Sequence, residues 1–160
     1  MEKETMKILI TGTSRGIGRA CAKKFLNEGH IVYGFDKTPK TIYHPHYVHI
    51  MHDITSARLP ELEQFDILIN NVGVQNSGYD IEVNLKGTIN ITEKYGFQPN
   101  IKSILFMASA SARTGAEFPE YAASKAGMVG YMKNVAHRLV QYGATSNALS
   151  AGGVISPLNQ

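Results

Sequence analysis

Two residues of the longest predicted helix, Tyr121 and Lys125, could transfer a proton. Their separation of four residues places both side chains on one face of the helix. A tyrosine hydroxyl has an ordinary pKa near 10 and exchanges its proton poorly at neutral pH, whereas a neighbouring ammonium favours its ionised form. The pair by itself is a common pattern, so its interpretation depends on the motifs elsewhere in the chain.

A glycine-rich turn follows the first predicted strand and opens the first predicted helix. It reads Thr-Gly-Thr-Ser-Arg-Gly-Ile-Gly over residues 11–18. Glycines allow a tight turn and let a pyrophosphate lie against backbone N–H groups at a helix N-terminus. The flanking strand and helix make the pattern informative. We predict a dinucleotide-binding loop, with contacts from Gly12, Ser14, Arg15, Gly16, Ile17 and Gly18.

An acidic residue, Asp36, ends the second predicted strand, eighteen residues after Gly18. A carboxylate at this place accepts hydrogen bonds from the adenosine ribose and disfavours a 2′-phosphate. Two cations argue for the phosphate, Arg15 in the glycine loop and Lys37 directly after the acid, although Arg15 could equally be a solvated loop residue. We predict a preference for NAD over NADP, because the carboxylate opposes the phosphate charge directly.

The alternation of short apolar runs with helical stretches predicts the fold that positions these residues. This pattern is typical of a parallel sheet covered by helices. The fold class is α/β, a three-layer doubly wound parallel sheet of the Rossmann type, formed by one dinucleotide-binding and catalytic domain over residues 1–160. We predict strands at 7–11, 30–35, 47–51, 65–70, 103–108 and 145–149, and helices at 17–28, 80–95 and 119–142.

Composition argues against several kinds of partner. The 160 residues carry a formal net charge of +3 without a basic run, so we expect no nucleic-acid partner. We also expect no membrane association, because no apolar run reaches membrane-spanning length. The single cysteine, Cys21, excludes an internal disulfide and fits a reducing compartment. With no signal-like stretch at the N-terminus, we predict a cytoplasmic location.

Histidines at positions 44, 46, 49 and 52 invite interpretation as a metal site. Pro45 and the alternation of side chains along a strand divide them between two faces. No acidic or thiolate residue completes a ligand set. We therefore predict no metal site and interpret these histidines as surface and strand-edge residues.

The motifs and their order resemble those of the classical short-chain dehydrogenase/reductase family over residues 7–157. The segments that carry the resemblance are Thr-Gly-x-x-x-Gly-x-Gly at 11–18, Asp-Ile at 53–54, Asn-Asn-Val-Gly at 70–73 and Tyr-x-x-x-Lys at 121–125. The resemblance implies an oxidoreductase that moves a hydride between a nicotinamide cofactor and a carbonyl or alcohol of a small molecule. The substrate classes it implies include 3-oxoacyl thioesters, sugars and polyols.

The resemblance also implies roles for individual residues. Tyr121 passes a proton to the carbonyl oxygen, while Lys125 favours ionisation of the tyrosine and reaches the nicotinamide ribose. Ser109 orients the carbonyl, with Ser111 as its rival for that role. Asn84 holds a water that links the lysine to solvent. The remaining cofactor contacts implied by the resemblance are Asp53, Ile54, Asn71 and Gly73.

Three departures from the family pattern leave a second hypothesis open. Only ten residues separate Gly73 from Asn84, where relatives have a longer segment, and Ala-Gly-Gly at 151–153 replaces a Pro-Gly pair. The chain also stops at Gln160, before the substrate loop and last strand expected of the family. Either a fragment of a longer protein or a non-catalytic, regulatory NAD(P)-binding module would account for this shortening. The presence of the whole implied catalytic set favours the enzyme.

Family members pair through two long helices, which correspond here to Asn84–Tyr95 and Pro119–Tyr142. The resemblance therefore implies a homodimer or a homotetramer. Small residues on the second helix would allow a close approach of helices, or would pack on the sheet of their own subunit. These residues are Ala122, Ala126, Gly127 and Gly130.

Overall fold

Six strands form one parallel sheet in the structure, a computed structural model that describes residues 3–155. The strands are β1 (Lys7–Thr11), β2 (Ile31–Asp36), β3 (Tyr47–Met51), β4 (Ile67–Asn70), β5 (Ser103–Ser109) and β6 (Thr145–Ala151). Their order is β3-β2-β1-β4-β5-β6, and every adjacent pair is parallel. The order reverses between β1 and β4, which opens a crevice at their carboxyl ends.

The helices cover both faces of this sheet. They are α1 (Gly16–Asn27), α2 (Thr88–Tyr95), α3 (Ser111–Thr114) and α4 (Pro119–Leu139), with a π-helical segment at Ile81–Gly87 and a 3₁₀ turn at Val140–Tyr142. None of the described helices is both long enough and apolar enough to cross a membrane.

The core lies in two layers, one on each face of the sheet. Along β1, Ile8 and Ile10 pack on one face with Ala22 and Leu26 of α1, while Leu9 packs on the other. The second layer contains buried side chains of α2 and α4, which are Ile91, Tyr95, Met128, Val135 and Leu139. Both faces of the central strands are therefore buried, and the prediction of a three-layer doubly wound sheet is confirmed.

Several predicted boundaries were wrong by one or two residues. β2 begins at Ile31 and includes Asp36, β4 begins at Ile67, and α1 covers Gly16–Asn27. β5 and β6 both extend further than predicted, because they pair in register as far as Ser109 and Ala151. This pairing joins segments that are distant in sequence, so no local sequence pattern predicts where the two strands end.

Two of the predicted helices were wrong in their internal structure. The stretch predicted at 80–95 divides into the π-helical segment and α2, and the longest helix ends at Leu139 and continues as a 3₁₀ turn. Gly143 then takes a φ of 63°, a left-handed conformation that suits a glycine after a helix end. The short helix α3 was not predicted.

Candidate active site

A cavity of about 590 Å³ lies along the crevice at the carboxyl ends of the strands. Most of the predicted site residues line it. They are Gly12, Ser14, Arg15, Gly16, Ile17, Asp36, Asp53, Ile54, Asn71, Gly73, Ser109, Tyr121 and Lys125. Gly18 and Asn84 are not among the lining residues, but both contact residues that are, Gly18 through Gly12 and Asn84 through Val74.

The glycine loop joins β1 to α1 in a conformation that needs its glycines. Gly12 and Gly16 have φ angles of 78° and 56°, which side chains rarely adopt. A Cβ on Gly18 would lie 2.0 Å from the carbonyl oxygen of Gly12. The loop and the first turn of α1 therefore pack backbone against backbone.

The N-terminus of α1 faces this loop without a side-chain cap. Arg15 precedes the helix in extended conformation, and the first turn contains no acidic residue. The N–H groups of that turn are left without a side-chain partner, and the helix dipole adds a partial positive charge there. The arrangement suits a bound anionic group such as a pyrophosphate.

Asn71 holds the glycine loop in place. Its Nδ2 donates to the carbonyl oxygens of Thr11 and Gly12 at 3.1 and 3.2 Å, and its backbone N–H donates to Thr11 Oγ1 at 2.9 Å. The Nδ2 atom also occupies the space that a Cβ on Gly18 would need. Asn71 thus connects the end of β4 to the loop after β1.

The carboxylate of Asp36 accepts three hydrogen bonds from the protein. Oδ2 accepts the N–H of Ser14 at 2.9 Å, and Oδ1 accepts the N–H and the hydroxyl of Thr38 at 2.9 and 2.8 Å. Burial acts to raise the pKa of Asp36, but these hydrogen bonds outweigh it and hold the pKa below its usual value. The group is therefore an anion at neutral pH, with exposed Arg15 and Lys37 nearby on the cavity wall.

Asp53 and Ile54 lie after β3, beside the same end of the cavity. Asp53 Oδ1 accepts the N–H and the hydroxyl of Thr55 at 2.8 and 2.7 Å. These bonds hold the pKa of Asp53 below its usual value. Ile54 is buried, and Asn90 Nδ2 donates to its carbonyl oxygen at 2.8 Å, so α2 anchors this segment.

Lys125 places a buried ammonium group at the other end of the cavity. The residue is 4 % exposed, and its Nζ donates to the carbonyl oxygen of Met107 on β5 at 2.8 Å. Burial lowers the pKa of Lys125 to about 8. Its Nζ lies 5.8 Å from the centroid of the Tyr121 ring, so the two side chains predicted to act together are neighbours.

The structure separates the two candidate serines. Ser109, the last residue of β5, lines the cavity, whereas Ser111 is buried in the first turn of α3 and does not. Ser109 Oγ accepts the N–H of Ser111 at 3.2 Å and donates to its hydroxyl at 3.2 Å. Ser111 is thus placed to orient Ser109, and only Ser109 lies where a substrate could reach it.

Asn84 sits in the π-helical segment and is fully buried. Its Oδ1 accepts the N–H of Val74 at 2.7 Å, and its Nδ2 donates to the Val74 carbonyl at 2.8 Å and to Ser124 Oγ at 3.0 Å. A Cβ on Gly73 would lie 3.3 Å from Lys125 Nζ and 3.7 Å from Asn84 Oδ1. Asn84 therefore fixes the chain beside Lys125. Its Oδ1 already accepts one hydrogen bond, so a water linked to that lysine would bind the second lone pair of Oδ1 or a backbone carbonyl of the π-helical turn.

Sequence reasoning missed a polar group near the Asp36 end of the cavity. Tyr47 Oη lies 2.8 Å from Thr13 Oγ1 and 2.8 Å from His49 Nδ1. From the sequence we interpret His49 only as a surface or strand-edge residue. A signal was present, since Gly34 is a glycine inside a buried strand, and its Cβ would lie 2.1 Å from Tyr47 Oη.

The other histidines lie apart from that group. His44 and His46 contact each other edge to face, and His52 lies 3.1 Å from the carbonyl of its neighbour Asp53. Over residues 3–155, no three His, Cys, Asp or Glu side chains are grouped as a metal site would require.

A family model described as short chain dehydrogenase matches residues 48–160 of the chain. The chain belongs to the short-chain dehydrogenase/reductase family. The short chain dehydrogenase adrF of Penicillium roqueforti is 32% identical, with 92% of this chain and 69% of the relative covered. The 3-oxoacyl-(acyl-carrier-protein) reductase FabG of Thermotoga maritima is 25% identical, with 100% and 78% covered.

Solved structures of other short-chain dehydrogenases share the fold. One from Burkholderia cenocepacia, solved in complex with NADP, has a TM-score of 0.89 at 21% identity and covers 100% of this chain and 77% of its own. This short-chain dehydrogenase is thus an NAD(P)-dependent oxidoreductase, and the matches support the enzyme rather than the non-catalytic module. Ser156 and Pro157, the end of the predicted family resemblance, lie outside the described residues.

Proposed function

We propose that this short-chain dehydrogenase interconverts a carbonyl and an alcohol on a small molecule, with NAD as its preferred cofactor and Tyr121 as its acid–base group. One observation carries the proposal. A single cavity has the glycine loop and Asp36 at one end, and Ser109, Tyr121 and Lys125 at the other. A dinucleotide held at the first end reaches the proton-transferring side chains at the second.

The residues present fit such a dinucleotide. The uncapped first turn of α1 and the positive φ angles of Gly12 and Gly16 suit the pyrophosphate. The ionised Asp36 suits the adenosine ribose, and Asp53 with Ile54 borders the adenine side. Asn71 and Gly73 act beside these contacts, Asn71 by fixing the loop and Gly73 by leaving room for Lys125 Nζ.

The catalytic end can perform the proton transfer that carbonyl reduction needs. When bound, the nicotinamide supplies or takes up the hydride. Ser109 Oγ turns its proton from Ser111 Oγ to the substrate oxygen, and the Tyr121 hydroxyl passes its proton to that oxygen. The ammonium of Lys125 stabilises the negative charge that develops on the tyrosine oxygen. Asn84 acts as a positioning residue through Val74 and Ser124.

The test of this function is a turnover assay with NADH over a panel of carbonyl compounds. The panel contains a 3-oxoacyl thioester, because FabG of Thermotoga maritima bears that activity in its name. It also contains an aldose and the ketone of a polyol. Oxidation of NADH by any member supports the proposal. Saturable cofactor binding without turnover of any member would favour a binding module instead.

Removing the charge of Asp36 is expected to shift the cofactor preference. The ionised carboxylate opposes a 2′-phosphate, while Arg15 and Lys37 remain to attract one. We expect Asp36→Asn to change the ratio of the NADPH and NADH dissociation constants by about tenfold in favour of NADPH. Fluorescence titrations of both cofactors measure this ratio, with Asp53→Asn as the matched control. NADPH binding more tightly than NADH to the unmodified chain would contradict the preference for NAD.

We also propose a homodimer or homotetramer through α2 and α4. The small residues of α4 have two kinds of surroundings. A Cβ on Gly127 would meet Leu85 of the same chain, whereas Ala126 is exposed and a Cβ on Gly130 would meet nothing within 4 Å. Light scattering should give two or four times the chain mass. Gly130→Arg should reduce it to one, because the new side chain has free space only in the monomer. A monomer before substitution, at micromolar concentration, would refute the proposal.

One domain over residues 1–160 and a cytoplasmic location stay predictions. The cavity supports the single domain, because its lining residues come from segments as far apart in sequence as Gly12 and Gly152. A reducing compartment suits the free thiol of Cys21. Limited proteolysis tests the single domain, and fractionation of cells tests the cytoplasmic location.

A further inference from the structure

A line of hydrogen bonds runs beneath the adenosine end of the cavity, across three elements. Thr13 of the glycine loop, Tyr47 and His49 of β3, and Thr38 of the loop after β2 take part. The distances are 2.8 Å from Thr13 Oγ1 to Tyr47 Oη, 2.8 Å from Tyr47 Oη to His49 Nδ1, and 2.8 Å from His49 Nε2 to the carbonyl oxygen of Thr38. We refer to these four residues as the relay.

The direction of each bond in the relay follows from its last member. The carbonyl oxygen of Thr38 can only accept, so His49 Nε2 donates to it, and in the tautomer with its proton on that nitrogen Nδ1 accepts. The Tyr47 hydroxyl must then donate to His49, which leaves its oxygen to accept from Thr13. Burial raises the pKa of Tyr47, so this hydroxyl keeps its proton as the relay requires. This arrangement of protons satisfies all three bonds.

The relay ends on the residue that also holds Asp36. Thr38 uses its carbonyl for His49, while its N–H and hydroxyl both donate to Asp36 Oδ1. At the other end Thr13 precedes Ser14, whose N–H donates to Asp36 Oδ2. Each oxygen of the carboxylate is therefore held by a segment that the relay fixes.

We propose that Tyr47 and His49 are positioning residues that set the preference for NAD by fixing Asp36 through Thr13 and Thr38. The proposal rests on the role assigned to Asp36 above. Without the relay, the loop that contains Thr38 loses its hydrogen bond to His49 of β3 and keeps only contacts such as those of Ser14 Oγ with the carbonyls of Thr38 and Pro39. The carboxylate is then held less firmly where the ribose would bind, and the exposed Lys37 and Lys40 of the same loop become freer to approach a 2′-phosphate.

Two features of the structure show that the relay is built into the fold. Thr13 is fully buried, so its hydroxyl has no access to solvent as an alternative partner. Gly34 of β2 lies directly beneath the bond between Thr13 and Tyr47, and a Cβ there would lie 2.3 Å from Thr13 Oγ1 and 2.1 Å from Tyr47 Oη. The absence of a side chain at position 34 is what lets the two hydroxyls meet.

The test is a set of titrations with NADH and NADPH on the full chain and its variants. His49→Leu and Tyr47→Phe each break the relay, and we expect each to weaken NADH binding by about fivefold, the effect of losing one hydrogen-bonded contact. NADPH binding should not weaken, so the preference falls by at least the same factor, and kcat at saturating NADH should be unaltered. His49→Gln should restore binding, because its amide can accept from Tyr47 and donate to Thr38.

His46→Leu is the matched control, since His46 is exposed and takes no part in the relay. Equal weakening of both cofactors, or no change in either, would overturn the proposal while leaving the role of Asp36 intact. Failure of the unmodified chain to bind either cofactor would overturn the cofactor site and this proposal with it. Thermal unfolding of every variant identifies any that loses its fold, and His49→Gln keeps the proposal testable in that event.

Discussion

Replacing Tyr121 with phenylalanine is expected to lower kcat by about a thousandfold and to leave the Kd for NADH unchanged. General acid–base catalysis by a positioned side chain contributes a factor of this size. The substitution removes only the hydroxyl, so the ring still lines the cavity and still lies beside the Lys125 ammonium. Steady-state kinetics on the best substrate of the carbonyl panel and a fluorescence titration with NADH separate the two effects.

Tyr131→Phe on the same helix is the matched control. Its hydroxyl donates to Glu93 at 2.8 Å, and the residue does not line the cavity, so kcat should be unchanged. Survival of most of the turnover in Tyr121→Phe would show that another group transfers the proton. Loss of NADH binding together with turnover would show instead that the hydroxyl serves the cofactor rather than the substrate.

Replacing Lys125 with methionine is expected to lower kcat by about a hundredfold or more while making the fold more stable at neutral pH. Both effects come from removing one group, the buried ammonium of Lys125. Lowering the pKa from 10.5 to about 8 corresponds to a cost of about 3 kcal/mol for the charged form in the folded chain. Methionine removes this cost but leaves the Met107 carbonyl without its donor, so we expect a net gain of about 1 kcal/mol.

The sign of the pH dependence follows from the same shift. The unfolded lysine binds its proton up to about pH 10.5, whereas the folded one releases it near pH 8. The cost is therefore complete below pH 8 and disappears as the pH rises toward 10.5. Urea unfolding at neutral pH and at pH about 10 should show the stability difference between Lys125→Met and the unmodified chain shrinking, then reversing.

Lys133→Met is the control, because Lys133 is exposed on the same helix and should change neither activity nor stability. A Lys125→Met variant with full turnover would remove this lysine from the catalytic set. A loss of stability at neutral pH would show that the hydrogen bond to Met107 outweighs the cost of burying the charge.

Local patterns were enough to predict the elements that frame the cavity. Apolar residues on both sides of β1 mark a strand with two buried faces, and the glycines at 12, 16 and 18 mark the turn into α1. These signals act over a few residues, since side-chain direction and φ depend on near neighbours. The four-residue spacing of Tyr121 and Lys125 is of the same kind.

Contacts between distant segments decided the rest. Burial depresses the pKa of Lys125, and the hydrogen-bond acceptor of its ammonium, Met107, lies eighteen residues earlier on another element. The choice between Ser109 and Ser111 depended on where β5 ends, which its pairing with β6 sets. The π-helical turn at Asn84 matched a helical pattern in sequence, and its partners Val74 and Ser124 come from other segments.

The sequence by itself determined the fold class, the family and the order of the motifs along the chain, because these depend on residue type, spacing and short-range conformation. Only the tertiary structure decided which polar atoms meet. Tyr47 reaches Thr13 across thirty-four residues because β2 and β3 pair in one register and Gly34 leaves the space between them open. Hydrogen bonds require partners within about 3 Å, and sheet register sets distances at that precision across the chain.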